Sequence, residues 1–240
     1  MNLLDVESLV AGHGLLTAVR HVSFGVAEGA ALAVVGANGA GKTTLFRTIS
    51  GVHRAQSGRV LLAGDDVSAL SAPKRVAAGI AMVPEGRRLF GDMSVRENLQ
   101  VAGEHGRAGP WNLGRVVEAL PALAPIMDRP AGVLSGGQRQ AVAIGRALMC
   151  NPSVLLLDEV SLGLSPIAGE GVYRSLSQLR DAGTTMVLVE QDLDRALAFA
   201  DRIVCMLEGR IVLEGESGAV TRADVTAAYF GLDATSEEPA

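Results

Sequence analysis

Ala31-Leu32-Ala33-Val34-Val35-Gly36-Ala37-Asn38-Gly39-Ala40-Gly41-Lys42-Thr43-Thr44 is an apolar run that breaks into glycines and ends on a lysine and two threonines. Ala31–Val35 reads as a short buried strand, and residues 42–51 read as a helix that begins after the glycines. Between them Gly36–Thr43 fits the pattern G-x-x-x-x-G-K-[ST]. Each part has a chemical reason. Glycines let the backbone fold tightly enough to aim several N–H groups at phosphate oxygens. The helix that follows adds the positive end of its dipole. Lys42 supplies a compact charge for the β- and γ-phosphates, where a planar guanidinium would fit less well, and Thr43 can ligate Mg²⁺. Gly36, Asn38, Gly39, Ala40, Gly41, Lys42, Thr43 and Thr44 are therefore candidate nucleotide-binding residues. Taken alone, the loop predicts a nucleotide binder and leaves kinase, GTPase and ATPase open. Only Lys42 and Lys74 are lysines among the 21 basic residues, so a chain strongly biased toward arginine retains a lysine at this position.

Outward from this loop, short apolar runs alternate with helix-like stretches. Leu3–Leu9, Val22–Val26, Val60–Ala63, Ile80–Val83, Val154–Leu157 and Thr185–Val189 read as strands, with a strand pair around Glu208-Gly209-Arg210. Gly169–Asp181 and Leu193–Asp201 read as helices, and the stretch from Val95 to Ala147 is mostly helical, broken at Gly103–Pro110. The alternation predicts an α/β fold with a mainly parallel central sheet. An antiparallel β portion lies near the N-terminus, and a helical subdomain of about residues 91–147 is inserted. One domain is expected over residues 1–232, followed by a polar, frayed tail at 233–240.

Two further segments carry chemistry. Val154-Leu155-Leu156-Leu157-Asp158-Glu159 is an apolar strand ending in two carboxylates. Ligands of doubly wound sheets bind at the carboxyl ends of strands, so Asp158 can hold Mg²⁺ through water and Glu159 can polarise an attacking water. Leu134-Ser135-Gly136-Gly137-Gln138 opens the apolar helix that runs to Leu148. Ser135 can cap that helix, and the two glycines expose N–H groups at its positive end. This is a second phosphate-binding surface in a chain that already has one, which makes sense if it serves nucleotide held by another copy.

LSGGQ at Leu134–Gln138, lying between the phosphate loop and the Leu155–Glu159 strand end, is the signature of the ABC ATPases, and the resemblance covers residues 1 to about 232. It implies ATP and Mg²⁺ as cofactors and two nucleotide-binding domains stacked head to tail, with each ATP between Lys42 of one and Ser135, Gly137 and Gln138 of the other. Finer details resemble the second ATP-binding subunit of branched-chain amino acid importers, with its urea and amide relatives. These are Glu85 in Val83–Phe90, Ser165 in Ser161–Pro166, Gln191 in Val189-Glu190-Gln191, and the ending Ala227–Gly231. Most ABC ATPases carry Gln, Asp and His at positions 85, 165 and 191. By this resemblance Glu85 joins Thr43 and Asp158 around the metal, Gln191 joins Lys42 and Glu159 in catalysis, and the segment Glu85–Leu99, with apolar Phe90 and Met93, contacts the membrane-spanning permease subunits or simply packs in the core. His13 stands where an aromatic stacks on adenine; it either stacks there or is a surface turn residue. Val160 stands where Pro commonly follows the catalytic Glu, which loosens that turn. The implied setting is the cytoplasmic face of the membrane, with an extracytoplasmic solute-binding protein acting indirectly.

Composition narrows the alternatives. Hydrophobic residues make up 48%, which suits a chain with a sizeable core. The net charge of −5, with no basic block, argues against nucleic acid as a partner. Cys150 and Cys205 sit in apolar stretches and read as core residues in a reducing compartment. The N-terminus lacks the pattern of a secretory signal, and no apolar run reaches the roughly 18–20 residues that span a bilayer. An ABC protein acting on DNA or ribosomes would carry coiled-coil insertions or fused ATPase domains. A nucleotide-responsive subunit with little hydrolysis stays open because Gln191 replaces His.

Overall fold

The computed structural model describes residues 2–14 and 16–230; the polar tail read at 233–240 and Gly231 of the terminal segment lie outside the described residues. The chain opens with β1 (Asn2–His13), β2 (Leu16–Ala27) and β3 (Ala31–Gly36), followed by α1 (Lys42–Ile49), β4 (Ser57–Leu62) and β5 (Asp65–Asp66). Next come α2 (Ala72–Ala78), β6 (Ile80–Val83), α3 (Val95–Glu104), α4 (Leu113–Ala119) and α5 (Gly136–Met149). β7 (Val154–Asp158), α6 (Pro166–Asp181), β8 (Thr185–Val189) and α7 (Leu193–Phe199) follow, then β9 (Arg202–Leu207), β10 (Arg210–Glu216) and α8 (Arg222–Phe230).

Two sheets result. One is antiparallel in the order β2-β1-β4-β5; the other runs β10-β9-β3-β8-β7-β6, parallel except for the β9–β10 hairpin at its edge. β3, β7 and β8 are buried along their whole length, as continuous apolar strands covered on both faces must be. Side chains alternate between two cores. Ala33, Val35, Leu155, Leu157 and Leu188 pack with Leu99, Ile144, Leu148 and Leu176 of the helices on one face. Leu32, Val34, Leu156, Val187 and Val189 pack on the other face with Leu45, Phe46 and Ile49 of α1 and with Leu4, Val6, Phe24 and Val60 of the antiparallel sheet.

The α/β architecture read from the sequence is present, and its departures have local causes. β1 and β2 extend to His13 and Leu16, beyond Leu9 and Val22, because bulges carry the ladder through the turn-like residues. Prolines 121, 125 and 130 break the middle stretch; 3-10 turns at Pro121–Ile126 and Ala131–Val133 replace continuous helix. α6 begins at Pro166, three residues before Gly169, because Ser165 accepts a capping bond from Ala168 N (3.4 Å) and Pro suits the first turn. α7 ends at Phe199 because Asp201 is already tied to β3, accepting from Ala31 N (2.8 Å) and donating its own N–H to Ala31 O (2.9 Å). β5 and α2 are too short to leave a periodic signal.

α2 nevertheless holds α1 in place. Arg75, 2% exposed, donates from Nη1 to Thr48 O (2.8 Å) and Ile49 O (2.7 Å), from Nη2 to Ser68 O (2.7 Å) and from Nε to Leu70 O (3.2 Å). A cation at the carbonyl end of a helix is favourable, and here it also satisfies carbonyls that α1 cannot. Arg75→Ala leaves these acceptors buried without donors. It should cost about 3 kcal/mol of stability, read from the midpoint of urea unfolding, with Arg75→Lys recovering only part of the loss because an ammonium cannot span four acceptors.

Candidate functional site

The loop after β3 is shaped by what its glycines lack. A Cβ on Gly36 would stand 2.4 Å from Met206 O, and one on Gly41 would stand 2.2 Å from Ala18 O, with Gly41 at φ 101°. Any other residue would push the loop off β2 and β9. Gly41 also opens α1 without a side-chain cap, so the first-turn N–H groups of the helix are left for another acceptor. Lys42, buried in that turn, directs its ammonium to Gly36 O (2.6 Å) and Ala37 O (3.0 Å). Burial pulls its pKa down, and the charges of Glu159 and Asp158 oppose that shift.

A cleft of about 480 Å³ lies over this loop, lined by Asn38, Gly39, Gly41, Lys42, Thr43 and Thr44 together with Glu85, Glu159 and Gln191 from other segments. Ala18 and Leu162 complete its wall. Neither was legible in the sequence: Ala18 belongs because the β2 backbone runs against Gly41, and Leu162 because the chain turns back after Glu159. Gly36 and Ala40 are buried beneath the loop.

Asp158 sits behind the cleft at the end of β7, only 1% exposed. Its Oδ1 is buried with no hydrogen-bond partner. Burial first, then the charges of Glu159 and Glu85, push its carboxyl up to about 6, against the pull of Arg47 and Lys42. A buried carboxylate oxygen with no donor, near Glu85, is a fitting ligand for a hard divalent cation. Glu159 follows in a left-handed backbone conformation (φ 50°). Its N–H donates to Val189 O (3.2 Å), and its carboxylate accepts from Gln191 Nε2 (2.8 Å).

The remaining candidates lie elsewhere. Ser135 and Gln138 form a capping box at the start of α5, with Gln138 N donating to Ser135 Oγ (3.3 Å) and Ser135 N to Gln138 Oε1 (3.0 Å). Ser135, Gly137 and Gln138 do not line the cleft of their own chain. His13 is exposed and also outside the cleft lining; its ring lies 4.7 Å from that of His53, whose Nε2 is 2.7 Å from Gly12 O. Phe90 is 47% exposed beneath the Arg146 guanidinium (4.9 Å). It edges a largely apolar groove of about 500 Å³ that also takes in Val101, Ala143, Ala147 and Cys150. Met93 is half-buried and does not line that groove.

The sequence profile described as ABC transporter matches residues 19–161, a span that holds the phosphate loop, the LSGGQ segment and the Asp158-Glu159 pair. The chain belongs to the ABC transporter family. It is 39% identical over 232 residues to the high-affinity branched-chain amino acid transport ATP-binding protein BraG of Pseudomonas aeruginosa, covering 95% of this chain and 100% of that one. It is 35% identical to the probable branched-chain amino acid transport ATP-binding protein LivF of Archaeoglobus fulgidus, covering 89% and 92%. It is 38% identical to the cobalt import ATP-binding protein CbiO of Rhodobacter capsulatus, covering 96% and 84%. Its fold matches the ADP conformation of an ATP-binding cassette of an ABC transporter with a TM-score of 0.80 at 29% identity, over 96% of this chain and 95% of that one. The chain is thus the ATPase domain of an ABC transporter, and its fold is the α/β ABC cassette. Among the described residues no helix is long and apolar enough to cross a membrane.

Asp158 should make the stability of this cassette depend on pH. Its folded pKa of about 6 lies above the ordinary 3.8, so the folded state binds the proton more tightly than the unfolded chain. The stability it contributes is present below 3.8 and lost as pH rises through about 6. With neither nucleotide nor Mg²⁺ added, Asp158→Asn should therefore stabilise the protein by about 1–3 kcal/mol at pH 8. The gain should fade toward about pH 4, measured by urea unfolding across that range.

Proposed function

We propose that this cassette powers uptake of branched-chain amino acids, or a related small polar solute, as the second ATP-binding subunit of an ABC importer. The observation that carries this reading is the likeness to BraG over that protein's full length, joined to Glu85, Ser165 and Gln191 at three positions where the commoner ABC pattern differs. Identity alone does not separate the solutes, since the cobalt import relative stands close behind; the three residues favour the amino acid branch.

In this reading the N–H groups of Gly39–Thr44 and the Lys42 ammonium hold the β- and γ-phosphates. To reach them Lys42 exchanges its present carbonyl partners for phosphate oxygens. Thr43, Asp158 and Glu85 hold Mg²⁺, which when bound offsets phosphate charge. Glu159 accepts a proton from the attacking water, and Gln191, hydrogen-bonded to the Glu159 carboxylate, keeps that carboxylate aimed. Ser135, Gly137 and Gln138 serve the ATP of a second ATP-binding subunit, identical or similar, and His13 faces the adenine. The groove beside Phe90 takes a segment of the permease, which holds the cassette at the cytoplasmic face of the membrane.

Lys42→Ala should weaken ATP binding by about a hundredfold or more, whereas Glu159→Gln should bind ATP normally and turn it over about 10²–10⁴-fold more slowly. Isothermal titration and steady-state ATPase assays separate the two, and equal ATP affinity for Lys42→Ala and parent would remove the phosphate-loop assignment. For the solute, the cassette co-purified with its permease and reconstituted in vesicles should drive uptake of leucine, isoleucine or valine when supplied with the cognate binding protein. Transport restricted to a metal ion or a sugar would overturn the amino acid reading.

A further inference from the structure

Glu190 is a buried carboxylate next to Gln191 to which the proposed chemistry gives no task. It lies at the end of β8 and is 2% exposed. Its Oε1 accepts from Tyr173 Oη (2.5 Å) and Ser161 Oγ (2.6 Å). Its Oε2 accepts from the backbone N–H of Gln191 (3.0 Å) and, more distantly, of Asp192 (3.4 Å). All four partners are neutral donors, so the group they suit is an ionised carboxylate, which only accepts. Holding an anion in the interior without a cation is costly, and an apolar side chain could have filled the same space.

The position of the four donors gives the reason for the charge. Ser161 lies in the turn after β7, two residues beyond Glu159. Gln191 lies in the turn after β8. Tyr173 stands on α6, with Arg195 of α7 over its ring at 5.1 Å and Phe199 against its edge at 5.4 Å. Burial and the adjacent Glu190 charge push the Tyr173 hydroxyl pKa upward, so it stays a donor. One carboxylate thus joins the turn that carries Glu159, the turn that carries Gln191, and the helix layer behind both. Across the same junction runs the 2.8 Å bond from Gln191 Nε2 to Glu159 Oε2. Glu159 itself needs such support, because a glutamate at φ 50° persists only where its surroundings fix it. Leu162 N donating to Glu159 O (3.1 Å) closes the turn, and the Ser161–Glu190 bond anchors it to β8.

We propose that Glu190 is a positioning residue for ATP hydrolysis: it locks the Ser161 turn to the Gln191 turn and so holds the Glu159 carboxylate where it can accept the proton of the attacking water. The proposal rests on the reading of Glu159 as the proton acceptor. Misplacement by about 1 Å costs on the order of 10² in rate, so a missing tie should be visible in turnover while the phosphate loop, built on β3 and α1, keeps its grip on ATP.

The test uses the full chain and compares Tyr173→Phe, Ser161→Ala, Glu190→Gln, the Tyr173→Phe/Glu190→Gln double variant and Glu159→Gln. Tyr173→Phe and Ser161→Ala should each lower kcat about tenfold and Glu190→Gln about 10- to 100-fold. ATP dissociation constants should stay within about twofold of the parent, the split expected when only transition-state geometry is lost. The double variant should be no slower than Glu190→Gln, since both changes break the same tie. Tyr173→Phe keeps the ring and its stacking, so the test survives if Glu190→Gln fails to fold. Parental kcat in Tyr173→Phe, losses of kcat and ATP affinity that rise together, or additive losses in the double variant would each overturn the positioning role. If Glu159→Gln is inactive while the Tyr173 and Glu190 variants turn over normally, this proposal alone falls; if Glu159→Gln keeps parental turnover, the base assignment falls and takes the proposal with it.

Discussion

β3, β8 and β7 end side by side. In their parallel register Val34 faces Val189, and Val189 faces Asp158. One or two residues beyond this row the three strands deliver the phosphate loop, Glu190-Gln191 and Glu159. No loop could gather these groups with comparable accuracy, because each is fixed within a residue of a ladder that is fully buried on both faces. Everything else around the cleft follows from that edge. α1 leaves it with unsatisfied N–H groups pointing back, and Arg75 holds the far end of the same helix. The order of strands makes the arrangement strongly non-local: β8, which comes late in the chain, is inserted between β3 and β7.

The same edge concentrates electrostatic cost. Lys42 and Asp158 are both buried, and burial shifts each toward its neutral form. Asp158, Glu159 and Glu85 also repel one another. The site is therefore a place where stability has been given up, the common pattern where a binding site needs preorganised charge. Polyanionic phosphate and a divalent cation would relieve opposite halves of the imbalance: the first gives Lys42 and the helix N–H groups their counter-charge, the second neutralises the carboxylates. Each ligand would thus relieve the half of the imbalance that the other leaves, which is linkage through charge and requires no movement of the fold.

Much of this was legible in the sequence where chemistry is contiguous. Gly36–Thr44 carries its loop, its lysine and its helix start in one stretch, and Asp158-Glu159 announces itself as charge at the end of an apolar strand. Ser135 reads as a helix cap from its place before the glycines, and its capping box with Gln138 completes that reading. What could not be read depends on residues that meet only after folding. Ala18 enters the cleft wall through its backbone, so its residue type carries no signal. Glu190 looked like part of a family pattern, and its four donors come from three separate segments. Arg75 carries no signal of its own, because the carbonyls it holds belong to α1 and to the turn at Ser68–Leu70. The stretch from Val95 to Ala147, read as mostly helical with one break at Gly103–Pro110, has further breaks at Pro121–Ile126 and Ala131–Val133, where the local effect of proline could have been applied.

The cleft and the apolar groove are joined by a very short stretch of chain. Glu85 lines the cleft, Phe90 lines the groove, and the residues between include Arg87 and Arg88 at φ 65° and 46°. Two consecutive non-glycine residues in the left-handed region cost roughly 1 kcal/mol or more each, so something must hold them. Arg87 donates from Nε to Gln140 Oε1 of α5 (2.9 Å) and from Nη2 to Leu162 O in the cleft wall (3.3 Å). Arg146 of α5 donates to Arg88 O (2.8 Å) and covers Phe90. The segment is therefore clamped from both sides by α5, the helix that begins at Ser135, and it touches the turn after Glu159. Arg87 and Arg88 thus tie the segment between cleft and groove to α5 at Gln140 and Arg146, and to the turn after Glu159 at Leu162.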